Sequence, residues 1–102
     1  MLAKQHRFSF KNTLPKRIIQ SKSFSLRFDK NNVAKLQVAV VVSKKVDKRA
    51  VVRNKIKRKI LEAVRKNIDT NTSLDLVFYA KSGAASSENL EKDVSETLLK
   101  IK

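Results

Sequence analysis

Cysteine is absent from this chain of 102 residues, and glycine and proline occur once each. Without cysteine the chain has no disulfide framework, no thiolate metal site and no thiol nucleophile. One glycine is too few to build a glycine-rich phosphate loop. No hydrophobic run is long enough to span a bilayer, and the basic N-terminus, MLAKQHRFSF, lacks the apolar segment of a signal peptide. We therefore expect a soluble, cytoplasmic protein.

Acids are also scarce, since nine Asp and Glu face 24 Lys and Arg and the formal net charge is +15. The acids are scattered, and the only histidine, His6, lies in the basic N-terminal stretch, so no catalytic pair or metal-ligating cluster is visible. This disfavours an enzyme that acts alone. A surface this positive attracts polyanions, and nucleic acid is the leading partner class, ahead of a membrane surface or an acidic protein.

The length and the hydrophobic fraction of 41% predict one folded domain over residues 1–102. Residues 1–22 are basic and weakly patterned, and we expect them to be only partly ordered. Within them Leu14, Ile18 and Ile19 predict one side of a short helix, with Pro15 in its first turn. Phe8 and Phe10 precede this helix and either pack under the fold or stack on bases.

The chain is organised around residues 42–65, VSKKVDKRAVVRNKIKRKILEAVR, which hold ten of the 24 basic residues. From Ala50 onward the apolar residues recur at helical spacing, which predicts a helix with one buried face and one basic face. Arg53 and Lys57 fall within or beside the apolar arc. They either project from the packed helix to bind phosphate or extend their stems past the core edge, and the spacing leaves both options open.

The start of this helix is itself a predicted anion site. A helix N-terminus presents free N–H groups and a positive partial charge. Lys44, Lys45, Lys48 and Arg49 add full charges at the same end. The combination predicts phosphate binding at the helix start.

Two stretches before the helix predict strands. Residues 23–29, SFSLRFD, alternate apolar and polar side chains, and residues 36–43, LQVAVVVS, are rich in valine. In the second strand, small side chains share one face, and Arg27 of the first strand could lie beside them. That open face of the sheet is then either solvated or able to accept an extended ligand. Residues 74–80 predict an interior strand, and residues 87–101 predict a final helix that holds four of the nine acids.

The predicted order helix, strand, strand, basic helix, strand, helix resembles the protein subunit of bacterial ribonuclease P. The family's signature reads here Ser43-Lys44-Lys45, then Arg53-Asn54-Lys55, then Lys57-Arg58. The likeness extends from Phe24 to Ile101. The chain departs from the family at Lys55 and Leu61, where arginine is usual, and in the loop at Asp47, which lacks the usual glycine and is one residue longer.

The resemblance implies an α+β fold, an α/β sandwich with a central mixed sheet of the ribosomal protein S5 domain 2-like kind. It also implies a left-handed βαβ crossover, whereas sequence alone favours a right-handed one. The implied function is that of a protein subunit, inactive alone, which assists a catalytic RNA in cleaving precursor tRNA to make mature 5′ ends. Magnesium then acts through the RNA, the protein binds no metal, and one protein monomer binds one RNA.

The resemblance and the charge pattern together predict two sets of site residues. The predicted RNA-binding residues are Lys44, Lys45, Arg49, Arg53, Asn54, Lys55, Lys57, Arg58 and Arg65. The predicted cleft for the 5′ leader of precursor tRNA is lined by Arg27, Ala39, Val41 and Ser43. The alternatives are a structural RNA-binding protein such as a ribosomal protein, which needs no leader cleft, and a DNA-binding protein, for which no helix-turn-helix signal is present.

Overall fold

A four-stranded mixed sheet forms one layer of the protein in the computed structural model, which describes residues 15–31, 35–69, 71–81, 84 and 90–101. The strands are β1 (Arg17–Gln20), β2 (Phe24–Lys30), β3 (Gln37–Val41) and β4 (Leu74–Ala80), in the order β1-β2-β4-β3. Strand β2 runs antiparallel to both β1 and β4, whereas β3 and β4 are parallel. The sheet is therefore mixed, as predicted.

Two helices, α1 (Ala50–Asn67) and α2 (Leu90–Lys100), cover one face of this sheet and form the second layer. Alternation in β2 buries Phe24, Leu26 and Phe28 against them. At the centre the rings of Phe24 and Phe78 meet edge to face, with centroids 5.4 Å apart. The predicted α+β class is confirmed. Helix α1 joins parallel β3 to β4, and the handedness of this crossover stays a prediction.

The predicted short helix that includes Ile18 and Ile19 is wrong in its described part, because Arg17–Gln20 form strand β1. Ile18 pairs with Arg27 and Ile19 with Leu26, so the two isoleucines point to opposite faces of the sheet. β-Branched side chains suit this pleated edge better than a helix. The predictions for Phe8, Phe10 and Leu14 lie outside the described residues, as do those for residues 87–89.

The other predicted elements match the structure closely. Helix α1 and strand β4 lie where the periodicity placed them, and β2 is displaced by one residue from the predicted stretch. Strand β3 is shorter than predicted and ends at Val41. Within the described part of the chain, neither helix combines the length and apolar character needed to cross a membrane.

Candidate nucleic-acid interface

The helix entrance, residues 43–53, leads from β3 into α1 and carries five basic side chains. It begins with a turn in which the Val46 N–H donates to the Ser43 carbonyl at 3.0 Å. Lys44 and Lys45 lie in this turn and are exposed. The turn therefore presents two adjacent ammonium groups to solvent, and their binding of phosphate stays a prediction.

Asp47 fixes the next part of the entrance. Its Oδ1 accepts the Arg49 backbone N–H at 2.8 Å, and its carboxylate also accepts Arg49 Nε at 3.2 Å and the terminal NH2 nitrogen at 3.1 Å. The Asp47 side chain is 14% exposed, whereas that of Arg49 is 76% exposed. The hydrogen bonds from Arg49 lower the pKa of Asp47, and the same contact raises the pKa of Arg49. Both groups are thus held in their charged forms.

Arg53 turns back onto the same loop. Its terminal NH1 nitrogen donates to the Lys48 carbonyl at 2.8 Å and to the Asp47 carbonyl at 3.1 Å. Arg53 and Lys57 are both half-buried, in agreement with their predicted positions beside the apolar arc. Lys57 makes no hydrogen bond or ion pair with the residues that the structure describes. The two cations therefore differ, since the guanidinium closes a loop and the ammonium does not.

The first turn of α1 is suited to an anion. Arg49 is the N-cap residue and makes no side-chain cap, and the first turn holds no acid. The helix dipole and the leading N–H groups therefore add to the charges of the entrance. Val51 is 67% exposed in this turn. It was not among the predicted site residues, because helical spacing marks it only as an apolar residue off the core face.

The outer face of α1 carries the remaining predicted RNA-binding residues. Asn54, Lys55 and Arg58 are exposed. Arg65 lies twelve residues beyond Arg53, or about 18 Å along the helix axis, and it donates to Glu62 at 3.0 Å. The structure thus groups the first residues with the helix entrance and separates Arg65 from them. Two exposed lysines on this helix, Lys59 and Lys66, were absent from the predicted set.

The outer sheet face, the face turned away from α1 and α2, carries three of the residues predicted to line the leader cleft, Arg27, Ala39 and Val41. Strand register places Arg27, Val77 and Ala39 in one row across β2, β4 and β3. Paired residues point to the same side of a sheet, so Arg27 and Ala39 share this face about 10 Å apart. The next row contains Val41, and Ser43 follows two residues later along the chain, beyond the end of β3.

The centre of the outer sheet face is occupied by β4 residues that sequence reasoning did not assign to it. Val77 lies between Arg27 and Ala39 and is fully buried, whereas both neighbours are half-buried. Tyr79 lies between Ser25 and Val41 and is half-buried. Their alternation along β4 was visible in the sequence. Their place between the other two strands was not, because it depends on strand order.

Arg27 is already engaged within the protein. Its terminal NH1 nitrogen donates to the carbonyl of Pro15 at 3.2 Å, and Pro15 is buried. Among the residues that the structure describes, this contact engages one guanidinium nitrogen of Arg27 and leaves its other N–H groups without a partner. Ala39 and Val41 complete a surface of small side chains, and Ser43 is exposed at its end.

A resident metal site was not predicted, and the described residues do not bring three His, Cys, Asp or Glu side chains together in a way that would hold an ion. The acids that the structure describes lie mostly in ion pairs or on α2. The described residues therefore arrange cations around a helix start, next to a partly closed sheet face.

Comparison with known proteins gives one consistent result. The Ribonuclease P family model matches residues 2–102. The ribonuclease P protein component of Marinomonas sp. (strain MWYL1) is 38% identical over 68 residues, which are 67% of this chain and 52% of that protein. The corresponding protein of Clostridium botulinum (strain Langeland / NCTC 10281 / Type F) is 40% identical over 67 residues, which are 64% of this chain and 58% of that protein. The match thus spans little more than half the length of these relatives.

Solved structures agree with this result. The RNase P protein of Staphylococcus aureus superimposes with a TM-score of 0.71 and 27% identity, covering 83% of this chain and 79% of that one. The RNase P protein of Thermotoga maritima gives a TM-score of 0.64, with 27% identity and the same coverage of both chains.

Proposed function

The chain belongs to the ribonuclease P protein family, and from this we propose that it is the protein subunit of ribonuclease P. In this role it binds the catalytic RNA of the enzyme and assists the removal of the 5′ leader from precursor tRNA. The observation that carries the proposal is the exposed set of family-signature cations at the helix entrance and along the adjoining turns of α1, Lys44, Lys45, Lys55 and Arg58. We place the protein in the cytoplasm, in a complex of one monomer with one RNA.

The helix entrance supports binding to the RNA backbone. Phosphate contacts fix the register and orientation of a protein on nucleic acid, and Arg, Lys and helix N-termini are the usual donors. Here Arg49 is held at the helix start by Asp47, and Lys55 and Arg58 extend the same positive surface along α1. A structured RNA is the ligand that suits several cations fixed at once on a rigid helix.

The outer sheet face supports binding to a single-stranded leader. Ala39 and Val41 are small enough for a nucleotide backbone to approach, and Tyr79 beside Val41 offers a ring for stacking. Arg27 adds a guanidinium that pairs with phosphate or stacks on a base. We assign the leader to this face, beside Ala39, Val41 and Tyr79.

We assign bond cleavage to the RNA partner and its magnesium ions, as the family resemblance implies, so that the complete enzyme is a hydrolase of which this chain is a subunit. The side chains that the structure brings together are suited to holding RNA in place. Their contribution is then to orient the substrate and to screen the repulsion between two polyanions, the catalytic RNA and the precursor tRNA.

Reconstitution tests the proposal. Purified protein, a bacterial ribonuclease P RNA transcribed in vitro, and both together are incubated with a 5′-labelled precursor tRNA and magnesium. We expect no cleavage by the protein alone and faster 5′ maturation with both components than with the RNA alone. Robust cleavage by RNA-free protein would contradict the assignment of catalysis.

The alternative function is that of a structural RNA-binding protein such as a ribosomal protein, and it predicts a different bound RNA. Purification of the protein from its native cells, followed by sequencing of the bound RNA, distinguishes the two. Ribonuclease P RNA and precursor tRNA are expected. Recovery of ribosomal RNA alone would replace the proposal with the alternative.

A further inference from the structure

Asp47 is the single acid of the helix entrance, where it stands among Lys44, Lys45, Lys48, Arg49 and Arg53. A negative charge in a surface that binds a polyanion should weaken binding by simple Coulomb repulsion. The contacts of Asp47 indicate the opposite role. Its carboxylate is 14% exposed and faces Arg49, while the Arg49 side chain remains 76% exposed.

Both arginines of the entrance depend on the loop at residues 47–49. Arg49 donates hydrogen bonds to both carboxylate oxygens of Asp47, through Nε and one terminal nitrogen. Arg53 is bound by the carbonyls of Asp47 and Lys48. The same carboxylate accepts the Arg49 backbone N–H at 2.8 Å, which fixes the loop itself. One side chain thus determines the course of the loop that holds two guanidinium groups.

We infer that Asp47 is a positioning residue for RNA binding, which increases the affinity of the entrance for structured RNA although it lowers the net positive charge. The inference rests on the proposed function, because it concerns the RNA-binding surface. An arginine has many rotamers, and fixing it before binding reduces the ordering that binding must impose. Asp47 occupies two of the five guanidinium N–H donors of Arg49 and leaves three directed to solvent, where a phosphate can accept them.

Two substitutions separate the contacts of Asp47. Asp47→Asn keeps a side-chain oxygen that can accept the Arg49 backbone N–H, since Asn forms the same kind of side-chain-to-backbone turn as Asp. It removes the negative charge and the two-point contact with the guanidinium. Asp47→Ala removes every side-chain contact. Asp29→Asn is the matched control, because Asp29 also accepts a backbone N–H, from Lys30 at 2.9 Å, and pairs with an arginine outside the predicted RNA-binding set, Arg17 at 3.7 Å. Its loss changes the net charge by the same amount.

The experiment compares two polyanions. Dissociation constants are measured for a bacterial ribonuclease P RNA over a range of salt concentrations, and elution from immobilised heparin reports attraction by charge alone. We expect Asp47→Asn to weaken RNA binding by about two- to fivefold, and Asp47→Ala to weaken it further. Loss of one phosphate contact would also lower the magnitude of the log–log salt slope by roughly 0.7 to 0.9. Heparin elution should stay the same or shift to higher salt.

The control and the contrary outcomes are distinct. Asp29→Asn should bind the RNA as tightly as the unmodified protein or more tightly, as added positive charge predicts. RNA binding by both Asp47 variants that equals or exceeds that of the unmodified protein would overturn the inference, and so would a parallel loss of heparin binding. Failure of the unmodified protein to bind the RNA would instead contradict the proposed function, and the inference with it.

Discussion

At the scale of single residues, the position of a cation along α1 does not by itself determine what the cation does. Arg53 and Lys57 lie one turn apart on the same side of the helix, and both are half-buried. The guanidinium of Arg53 donates to the Asp47 and Lys48 carbonyls at the start of the helix through one nitrogen, NH1, which carries two N–H groups. The ammonium of Lys57 has no such partner among the described residues. The sequence predicted their location but not this difference, which depends on the loop conformation.

Alanine substitution of these two residues should therefore have unequal consequences. Lys57→Ala should weaken RNA binding and leave stability unchanged, since it removes a charge and no described hydrogen bond. Arg53→Ala should weaken RNA binding and also lower the free energy of unfolding by about 1 kcal/mol, because two hydrogen bonds are lost. For each phosphate contact removed, the magnitude of the log–log salt slope should fall by roughly 0.7 to 0.9. Denaturant titration and RNA binding at several salt concentrations measure both effects.

Each of the two substitutions serves as the control for the other. Equal stability of the two variants would show that the contacts of Arg53 with the Asp47 and Lys48 carbonyls do not hold the loop. Unaltered RNA affinity in both variants would remove these residues from the RNA-binding surface.

At the scale of elements, local periodicity predicted most of the fold and tertiary pairing decided the rest. The alternation in β2 and the helical spacing in α1 each mark a buried face, so sequence alone located both. Strand β1 was missed because its four residues carry no alternation and are ordered by pairing with β2. The order β1-β2-β4-β3 was likewise out of reach, since it arises from contacts distant in the chain. This is why Val77 and Tyr79 were missing from the predicted cleft.

The outer sheet face gives a prediction at this scale. In the holoenzyme, Val41→Glu should place a bulky carboxylate beside Tyr79, where it blocks a nucleotide sterically and repels its phosphate. Affinity for a leader-bearing precursor tRNA should fall about fivefold or more, as expected for the loss of one stacked base. Affinity for mature tRNA should stay nearly constant, because mature tRNA has no leader. The measured quantity is the ratio of the two dissociation constants at fixed salt.

Leu99→Glu provides the matched control for this prediction. Leu99 is 64% exposed on α2, and its substitution also replaces an apolar residue by a carboxylate. It should leave the ratio of dissociation constants as it is in the unmodified protein. An unaltered ratio in folded Val41→Glu as well would place the leader elsewhere and leave this face as a solvated part of the sheet.

At the scale of the whole molecule, the two helices give the surface opposite characters. Helix α1 has no acid in its first turn and carries basic residues from the entrance to its last turn. Helix α2 begins with Glu91 and Asp93 and also holds Glu96. The net charge of +15 is therefore not spread evenly. Because exposed charges are screened beyond about 8 to 10 Å at moderate ionic strength, the local surface governs RNA binding more than the total charge does.

Two double variants with the same change in total charge test this asymmetry. Lys55→Ala/Arg58→Ala removes two exposed cations from α1, and Lys92→Ala/Lys100→Ala removes two from α2. Alanine favours helix at all four positions, so both variants should fold. The α1 variant should lose affinity for ribonuclease P RNA, with a salt slope smaller in magnitude by roughly 1.4 to 1.8, as two lost phosphate contacts require. The α2 variant should retain both the affinity and the slope, since its cations stand among acids that repel the RNA. Equal losses in the two variants would mean that total charge alone drives binding, and the basic face of α1 would then have no special part in recognising the RNA.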